Sequence, residues 1–463
     1  MKWNSKYENN KLFAETNMKK RVVILGAGES GVGAALLAKQ NGFDVFVSDG
    51  GPIKQQYRDE LVQYEIEFEQ SGHSEEKILN ADEVIKSPGI PEKAEMVKKI
   101  RAAKISIISE IEFAFRYKGD SKVIAITGSN GKTTTTALTY HIFKKAEKDC
   151  AMVGNIGYSF ARQVALDPKP LYVAEISSFQ LDDIKSFRPD VAVLTNITED
   201  HLDRYEYKVE NYIKSKFRII ENQIEGDVFI YNLDDQTTMD NISKYPIKST
   251  QAPITMSKEL PQGAYLTNAK MYLKWKSEEI QMSVEDFAVK GKHNQYNSMA
   301  ASMAATAMDI RKDKIREALQ TFESLQHRME TVATIKGIEF INDSKATNVN
   351  STWYALESMT KPVILIMGGV DKGNDYEMLK ELVSEKVKAI VCMGLDNTKI
   401  NEAFGDIVPL IVNTENTFDA VKTAYHFANK GEAVLLSPAC ASFDLFKNYE
   451  DRGNQFKEAV RNL

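Results

Sequence analysis

Short apolar runs alternate along this chain with longer amphipathic stretches, as expected when strands and helices take turns in a parallel α/β fold. Three blocks can be separated. The first opens on the strand-like run Val22-Val23-Ile24-Leu25 and ends near Glu112. The second opens on Val123-Ile124-Ala125-Ile126 and runs to about Leu325. The third starts near His327 and carries further strand candidates, Val363–Met367 and Ala433–Leu436. Inside the second block, Gln251–Val289 reads differently. Alternation and turn residues, as in Tyr272-Leu273-Lys274-Trp275, predict a small β subregion there. No repeat or low-complexity linker separates the blocks, so the joins are short.

Two glycine turns give these blocks chemistry. Gly26-Ala27-Gly28-Glu29-Ser30-Gly31 follows a strand and opens a helix, with Asp49 after the next strand-like run, Val45-Phe46-Val47. That is a dinucleotide-type βαβ fingerprint, which signals a phosphate-friendly turn and leaves the ligand open; an NAD-dependent oxidoreductase would show the same run. The second turn is more specific. Ile126-Thr127-Gly128-Ser129-Asn130-Gly131-Lys132-Thr133-Thr134 leads from an apolar strand into a helix with Leu138, Ile142 and Phe143 on one face. Glycines let backbone N–H groups converge on phosphate oxygens, and the helix N-terminus adds a favourable dipole. Lys132 is placed to reach the β- and γ-phosphates and Thr133 to ligate Mg²⁺. Ile126 stands where most phosphate loops have their first glycine, so this loop is short.

The fold class expected is α/β in three domains. Residues 1–112 form an N-terminal Rossmann-like domain, with 1–18 read as a disordered extension. Residues 113–325 form a central P-loop ATPase-like domain with a parallel sheet, and 326–463 a C-terminal Rossmann-like α/β domain. A chain of 463 residues has room for about two to four domains. Its 59 basic and 65 acidic side chains leave a net charge of -6, which argues for neither a nucleic-acid nor a membrane partner. Cys150, Cys392 and Cys440 are too scattered for a disulfide framework or a zinc site, which fits a reducing cytoplasm. No stretch approaches the ~20 apolar residues of a membrane span.

The short loop at Gly128–Thr133 resembles that of the Mur ligases and the folylpolyglutamate synthases. Five further segments fit the same family in order: Glu175–Gln180, Asn196–Tyr205, Gly291–Asn297, His327–Glu330 and Asn342–Asn348. The last, Asn342-Asp343-Ser344-Lys345-Ala346-Thr347-Asn348, is similar to the D-glutamate-adding members, as are Gly368–Gly373 and Leu436–Asp444. The resemblance spans nearly the whole chain from Arg21. It implies an ATP-dependent ligase that phosphorylates the L-alanyl carboxylate of UDP-N-acetylmuramoyl-L-alanine. D-Glutamate then captures the acyl phosphate, giving ADP and phosphate, in building cell-wall precursor. Rivals are another amide ligase of the superfamily, an NAD-dependent oxidoreductase and a non-catalytic nucleotide switch. The run at Asp343–Asn348 argues against the first, and the loop at Gly128 against the second.

Carried over residue by residue, the resemblance implies ATP contacts from Gly128 to Thr134, from Asn294 and Asn297, from Arg328 near the γ-phosphate, and from Asp343 on the ribose. Two Mg²⁺ sites are implied, involving Thr133, Glu175, His201 and Lys216, the last matching a lysine that the family carbamylates. A carbamate is anionic and can lie near metal where an ammonium could not. Catalytic work falls to Lys132, Glu175, His201 and Lys216. The D-glutamate pocket needs donors and a cation for two carboxylates; Lys345, Thr347, Lys372 and Ser442 are implied. The uridine-linked substrate is expected on Glu29, Ser30 and Gly89, with Asn155 at its sugar-phosphate part and His201 also helping to hold it. Gly50-Gly51 follow Asp49 where polar side chains often help hold the uracil. The expected protein is a cytoplasmic monomer.

Overall fold

The computed structural model describes residues 19–323 and 326–463, so the expected extension at 1–18 and the join at 325 lie outside the described residues. Parallel sheets build the three-domain α/β architecture. Among the described residues two compact units can be distinguished, one running up to Lys122 and taking in Ala151–Arg188, the other made of Val123–Cys150 and the chain from Pro189 on.

In the first unit, strands β1 (Arg21–Leu25), β2 (Asp44–Asp49), β3 (Glu67–Gln70), β4 (Glu83–Lys86) and β5 (Ser106–Ser109) form an all-parallel sheet of order β3-β2-β1-β4-β5. This is the doubly wound order expected of the first block, with the Gly26 turn at the carboxyl edge of β1. Helix Glu29–Gln40 packs on helix Phe160–Leu166. That approach needs a residue without a side chain: a Cβ on Gly33 would sit 2.0 Å from Ser159 Oγ. Part of the second sequence block, Ala151–Arg188, is thereby drawn into this unit.

Helix Glu110–Tyr117 carries two buried carboxylates with opposite fates. Burial opposes ionisation of Glu112, but the Ser186 hydroxyl and the N–H groups of Lys185, Ser186 and Phe187 donate to it and hold it below the usual range. Glu110 is fully enclosed and accepts from Ala161 N–H; burial pushes it up to about 7 from 4.5, with Glu29 adding to the rise. Below pH 4.5 the group is protonated folded and unfolded. As pH rises the unfolded chain ionises first, so stability is lost between about 4.5 and 7 and stays lost above. Glu110→Gln keeps an oxygen for Ala161 and cannot ionise. It is expected to exceed the parent in stability by up to about 3 kcal/mol at pH 8. Calorimetric melting at pH 8 and pH 4 checks this, the gap closing at the lower pH.

β7 (Cys150–Gly154) and β8 (Leu171–Glu175) neighbour each other. The second unit runs β14-β13-β12-β11-β10-β9-β6 from β6 (Lys122–Thr127), β9 (Val191–Leu194), β10 (Val228–Asn232), β11 (Thr250–Thr255), β12 (Gly263–Thr267), β13 (Lys270–Trp275) and β14 (Glu278–Ser283). It is parallel from β6 to β12. β12, β13 and β14 then fold back as an antiparallel meander, with Tyr265 and Tyr272 stacked 4.9 Å apart across one pair. The β subregion expected over Gln251–Val289 is thus present.

The last sheet, order β15-β16-β20-β17-β18-β19, comprises β15 (Glu330–Ile335), β16 (Ile338–Asn342), β17 (Val363–Met367), β18 (Val387–Met393), β19 (Ile411–Thr414) and β20 (Ala433–Leu436). Only the β15–β16 hairpin is antiparallel. β17 and β20 are buried on both faces by separate apolar clusters, which is why they read as unbroken apolar runs. Among the described residues no helix is long and apolar enough to cross a membrane.

Candidate functional site

β6 delivers the chain into the loop Gly128–Gly131, and helix Lys132–Lys145 starts directly after it. Gly131 takes the left-handed conformation, φ +81°, that lets the turn close into the helix. Gly128 has φ +148°, and a Cβ there would lie 1.9 Å from Thr195 Oγ1. The loop is pinned from the end of β9. Asn130 N–H donates to Asn196 Oδ1 (2.9 Å), and the Thr195 hydroxyl donates to Asn130 O (2.6 Å). Ser129 Oγ donates to Thr198 O (2.8 Å) and accepts from Thr198 N–H (2.9 Å).

Two lysines converge on this loop. Lys132 Nζ donates to Gly128 O (2.8 Å) and Ser129 O (2.9 Å). Lys216, on helix Val209–Phe217, also donates to Gly128 O (2.7 Å), with its Nζ 4.5 Å from the Tyr212 ring centroid. Lys216 is buried at 1% exposure, whereas Lys214, two residues back, is exposed. Helical spacing puts the two on different faces. His201 is in a left-handed conformation, φ +53°, beside Asp200, 3.6 Å away. Its surroundings bury it enough to lower the imidazole pKa; Asp200 opposes this, while Lys132, Lys372 and Lys216 reinforce it.

Arg328 crosses from the last block to the phosphate loop, its Nη2 donating to Thr133 Oγ1 (2.6 Å). Between them opens a cavity lined by Asn130, Gly131, Thr134, Asn294, Asn297 and Arg328, with Asp343 and Lys345 on its far side. Asn294 and Asn297 share a face of helix Lys292–Ala307 and bond each other (3.1 Å). Asp343, at the end of β16, accepts from Met329 N–H (3.2 Å) and Ser437 Oγ (3.0 Å). Burial pushes its carboxyl up to about 7 against the pull of Arg328 and Arg452.

Lys345, Thr347, Lys372 and Ser442 lie on three loops of the last sheet, and only Lys345 among them lines the cavity. Lys372 is exposed and Ser442 buried. Arg452, which the sequence reading passed over, ties these loops together. It is fully buried, donating to Ser344 Oγ (3.0 Å), Ser344 O (2.8 Å), Cys440 O (3.2 Å) and Gly368 O (3.4 Å). Burial brings its pKa down to about 10. His293, Trp353 and Tyr354 were missed as well; they give the cavity an aromatic wall, His293 and Tyr354 lying 5.6 Å apart. The available signal was adjacency, since each lies within a few residues of a segment already singled out.

In the first unit, Asn155 Nδ2 donates to Glu175 Oε1 (2.8 Å), and Glu175 Oε2 is buried without a hydrogen-bond partner among the described residues. Glu29 is engaged within the protein: Arg162 Nε (2.7 Å) and Ser159 N–H (3.1 Å) donate to its Oε1. Ser30 opens the helix after the glycine turn, and Gly89 lies in the loop after β4. Among the described residues no three His, Cys, Asp or Glu side chains gather into a metal cage. Mg²⁺ does not require one, because it keeps waters and takes phosphate oxygens with one or two protein ligands. The orphaned oxygen of Glu175 is a ligand atom of that kind.

Comparison with known proteins agrees across the chain. Residues 21–96 match the MurD N-terminal domain, 126–305 the Mur ligase middle domain, and 327–440 the Mur ligase, glutamate ligase domain. The UDP-N-acetylmuramoylalanine–D-glutamate ligase of Christiangramia forsetii is 54% identical over 446 residues, covering 96% of this chain and 100% of that protein. The enzyme of the same name from Bacteroides thetaiotaomicron is 53% identical over 448 residues, with 96% and 100% covered. Among solved structures, a pseudomurein peptide ligase type C from Methanothermus fervidus shares the fold, with a TM-score of 0.61 at 20% identity and 96% and 100% coverage. The chain belongs to the Mur ligase family, within its D-glutamate ligases.

Proposed function

We propose that this enzyme joins D-glutamate to the L-alanyl carboxylate of UDP-N-acetylmuramoyl-L-alanine, using ATP and passing through an acyl phosphate. The observation that carries the reading is the meeting of a phosphate loop with the D-glutamate-type run around one cavity. Asn130, Gly131 and Thr134 line it from the phosphate-loop side, and Arg328, Asp343 and Lys345 from the last block, Arg328 also bonding Thr133.

The first step brings a carboxylate to a polyphosphate, and two anions repel unless fixed positive charge faces them. Lys132 supplies it at the loop, and Arg328 at the γ-phosphate from the third domain. The amides of Gly128 to Thr134 bind the phosphates, Asn294 and Asn297 border the nucleotide, and Asp343 holds the ribose. Mg²⁺ would be held by Thr133 and Glu175, with His201 and a carbamate on Lys216 at a second site; it neutralises phosphate charge when bound. His201 also meets the substrate. Lys345, Thr347, Lys372 and Ser442 hold the two carboxylates of D-glutamate, and Arg452 positions their loops. Glu29, Ser30 and Gly89 serve the uridine end and Asn155 the sugar-phosphate part. Arg162 and Ser159 N–H donate to Glu29 Oε1 and hold its carboxylate at the glycine turn. Domain bounds at 112 and 325, a cytoplasmic location and a monomeric state complete the proposal.

The test is phosphate release from ATP in the presence of UDP-N-acetylmuramoyl-L-alanine, comparing D- with L-glutamate. Release should depend on the D-isomer and yield a product lengthened by one glutamate. Equal rates with either isomer, or release without a new amide, overturn the reading.

A further inference from the structure

The uridine-binding edge of the first sheet contains a side-chain relay that the reading above does not use. Ser48 is fully buried on β2 and touches two groups from the neighbouring β3 edge. Its hydroxyl lies 2.6 Å from Glu69 Oε1 and 2.7 Å from His73 Nδ1. One O–H cannot donate twice. Burial opposes ionisation of Glu69, but bonds from Ser48 and Ser74 and the charge of Lys77 outweigh it and hold the carboxyl below its ordinary range. Glu69 is therefore a carboxylate, which only accepts. Ser48 O–H donates to Glu69, so His73 Nδ1–H must donate to Ser48 Oγ. A neutral His73 then carries its proton on Nδ1 and presents the lone pair of Nε2 outward.

That nitrogen faces a particular place. It would lie 3.1 Å from a Cβ on Gly50. Gly50 is not among the residues with positive φ, so the backbone there tolerates a side chain and it is the imidazole that crowds one out. His73 thus occupies the room a residue-50 side chain would use. The turn is fixed from the other side: Asp49 Oδ2 accepts from Ala27 N–H (2.7 Å) and Oδ1 from Gly51 N–H (2.8 Å), which lock it against the glycine loop. In a doubly wound sheet this carboxyl end of β2 is where a nucleoside lies. Gly50 and Gly51 have no side chains for a base edge; His73, exposed on the adjacent loop, has an oriented acceptor.

We propose that His73 is a specificity-determining residue for the nucleobase of the UDP-linked substrate, its Nε2 accepting the N3–H of uracil. The inference rests on the uridine end binding this domain, as proposed above. Cytosine has no hydrogen on N3, so the same nitrogen would face a lone pair with a lone pair, and such a mismatch discriminates strongly.

Calorimetric titration of the full chain with UDP and with CDP tests it, in the parent, in His73→Ala and in Gly50→Ala, whose added Cβ would stand 3.1 Å from Nε2 and press the ring aside by a few tenths of an ångström. The parent should bind UDP about tenfold or more tighter than CDP. His73→Ala should lose that preference by weakening UDP and sparing CDP. Its KM for the UDP-linked substrate should rise while kcat at saturation stays put. Gly50→Ala should narrow the preference, and it decides the matter should His73→Ala fail to fold. A UDP preference that survives in the variants overturns the role of His73 alone. A parent that binds no UDP overturns this role and the substrate reading together.

Discussion

Lys132→Ala is expected to lower kcat/KM for ATP-dependent phosphate release by about 10³-fold, the upper range for deleting one preorganised charge donor at a developing anion. In the structure Lys132 Nζ donates to Gly128 O and Ser129 O, which fix its ammonium on the loop. A cation fixed near a developing negative charge stabilises it at little cost in reorganisation. The loop should survive the change, because Asn196, Thr195 and Thr198 pin it independently. The variant should therefore melt near the parent temperature. Steady-state release measured with D-glutamate checks the activity; a loss of tenfold or less would mean that another cation carries the transferring phosphoryl group.

The second large effect concerns Lys216. Its Nζ is buried and bonds the same carbonyl oxygen as Lys132. Two ammonium groups on one carbonyl make a crowded positive centre, and both lower the pKa of the His201 imidazole. Adding CO₂ to Lys216 would reverse its sign and relieve that crowding. Lys216→Ala is expected to lose about 10²- to 10³-fold in turnover, on the scale of removing an electrostatic stabiliser. If the carbamate is the working form, acetate or propionate should restore part of the rate. Rescue by methylamine instead would show that the ammonium, holding Gly128 O, is the working form. The Lys214→Ala variant should be near parental, because Lys214 faces solvent.

The element pattern was legible from residue order because its causes are local. Apolar runs such as Val363–Met367 are strands buried on both faces, and the alternation at Tyr272–Trp275 is a meander. The glycine turn at Gly128 sits where strand-to-helix chemistry demanded it. Other features depend on neighbours distant in the chain. Lys214 and Lys216 look alike in sequence, and only the packing of their helix buries one of them. Arg452 stands in a charged, helix-forming run and reads as a solvated residue. It is fully buried because Ser344, 108 residues earlier, and Cys440 offer it oxygens. Glu29 stands in the glycine turn, and its carboxylate is oriented by Arg162, 133 residues on.

Residue order settled the three α/β blocks, both phosphate-type turns and the kinship with D-glutamate ligases, since period, turn geometry and motif spacing are carried by adjacent residues. Tertiary structure decided which charges lose their water, which side chain reaches the Gly50 turn, and which side chains wall the cavity. Desolvation and hydrogen-bond pairing depend on what arrives from elsewhere in the chain, and no stretch of sequence contains its own surroundings.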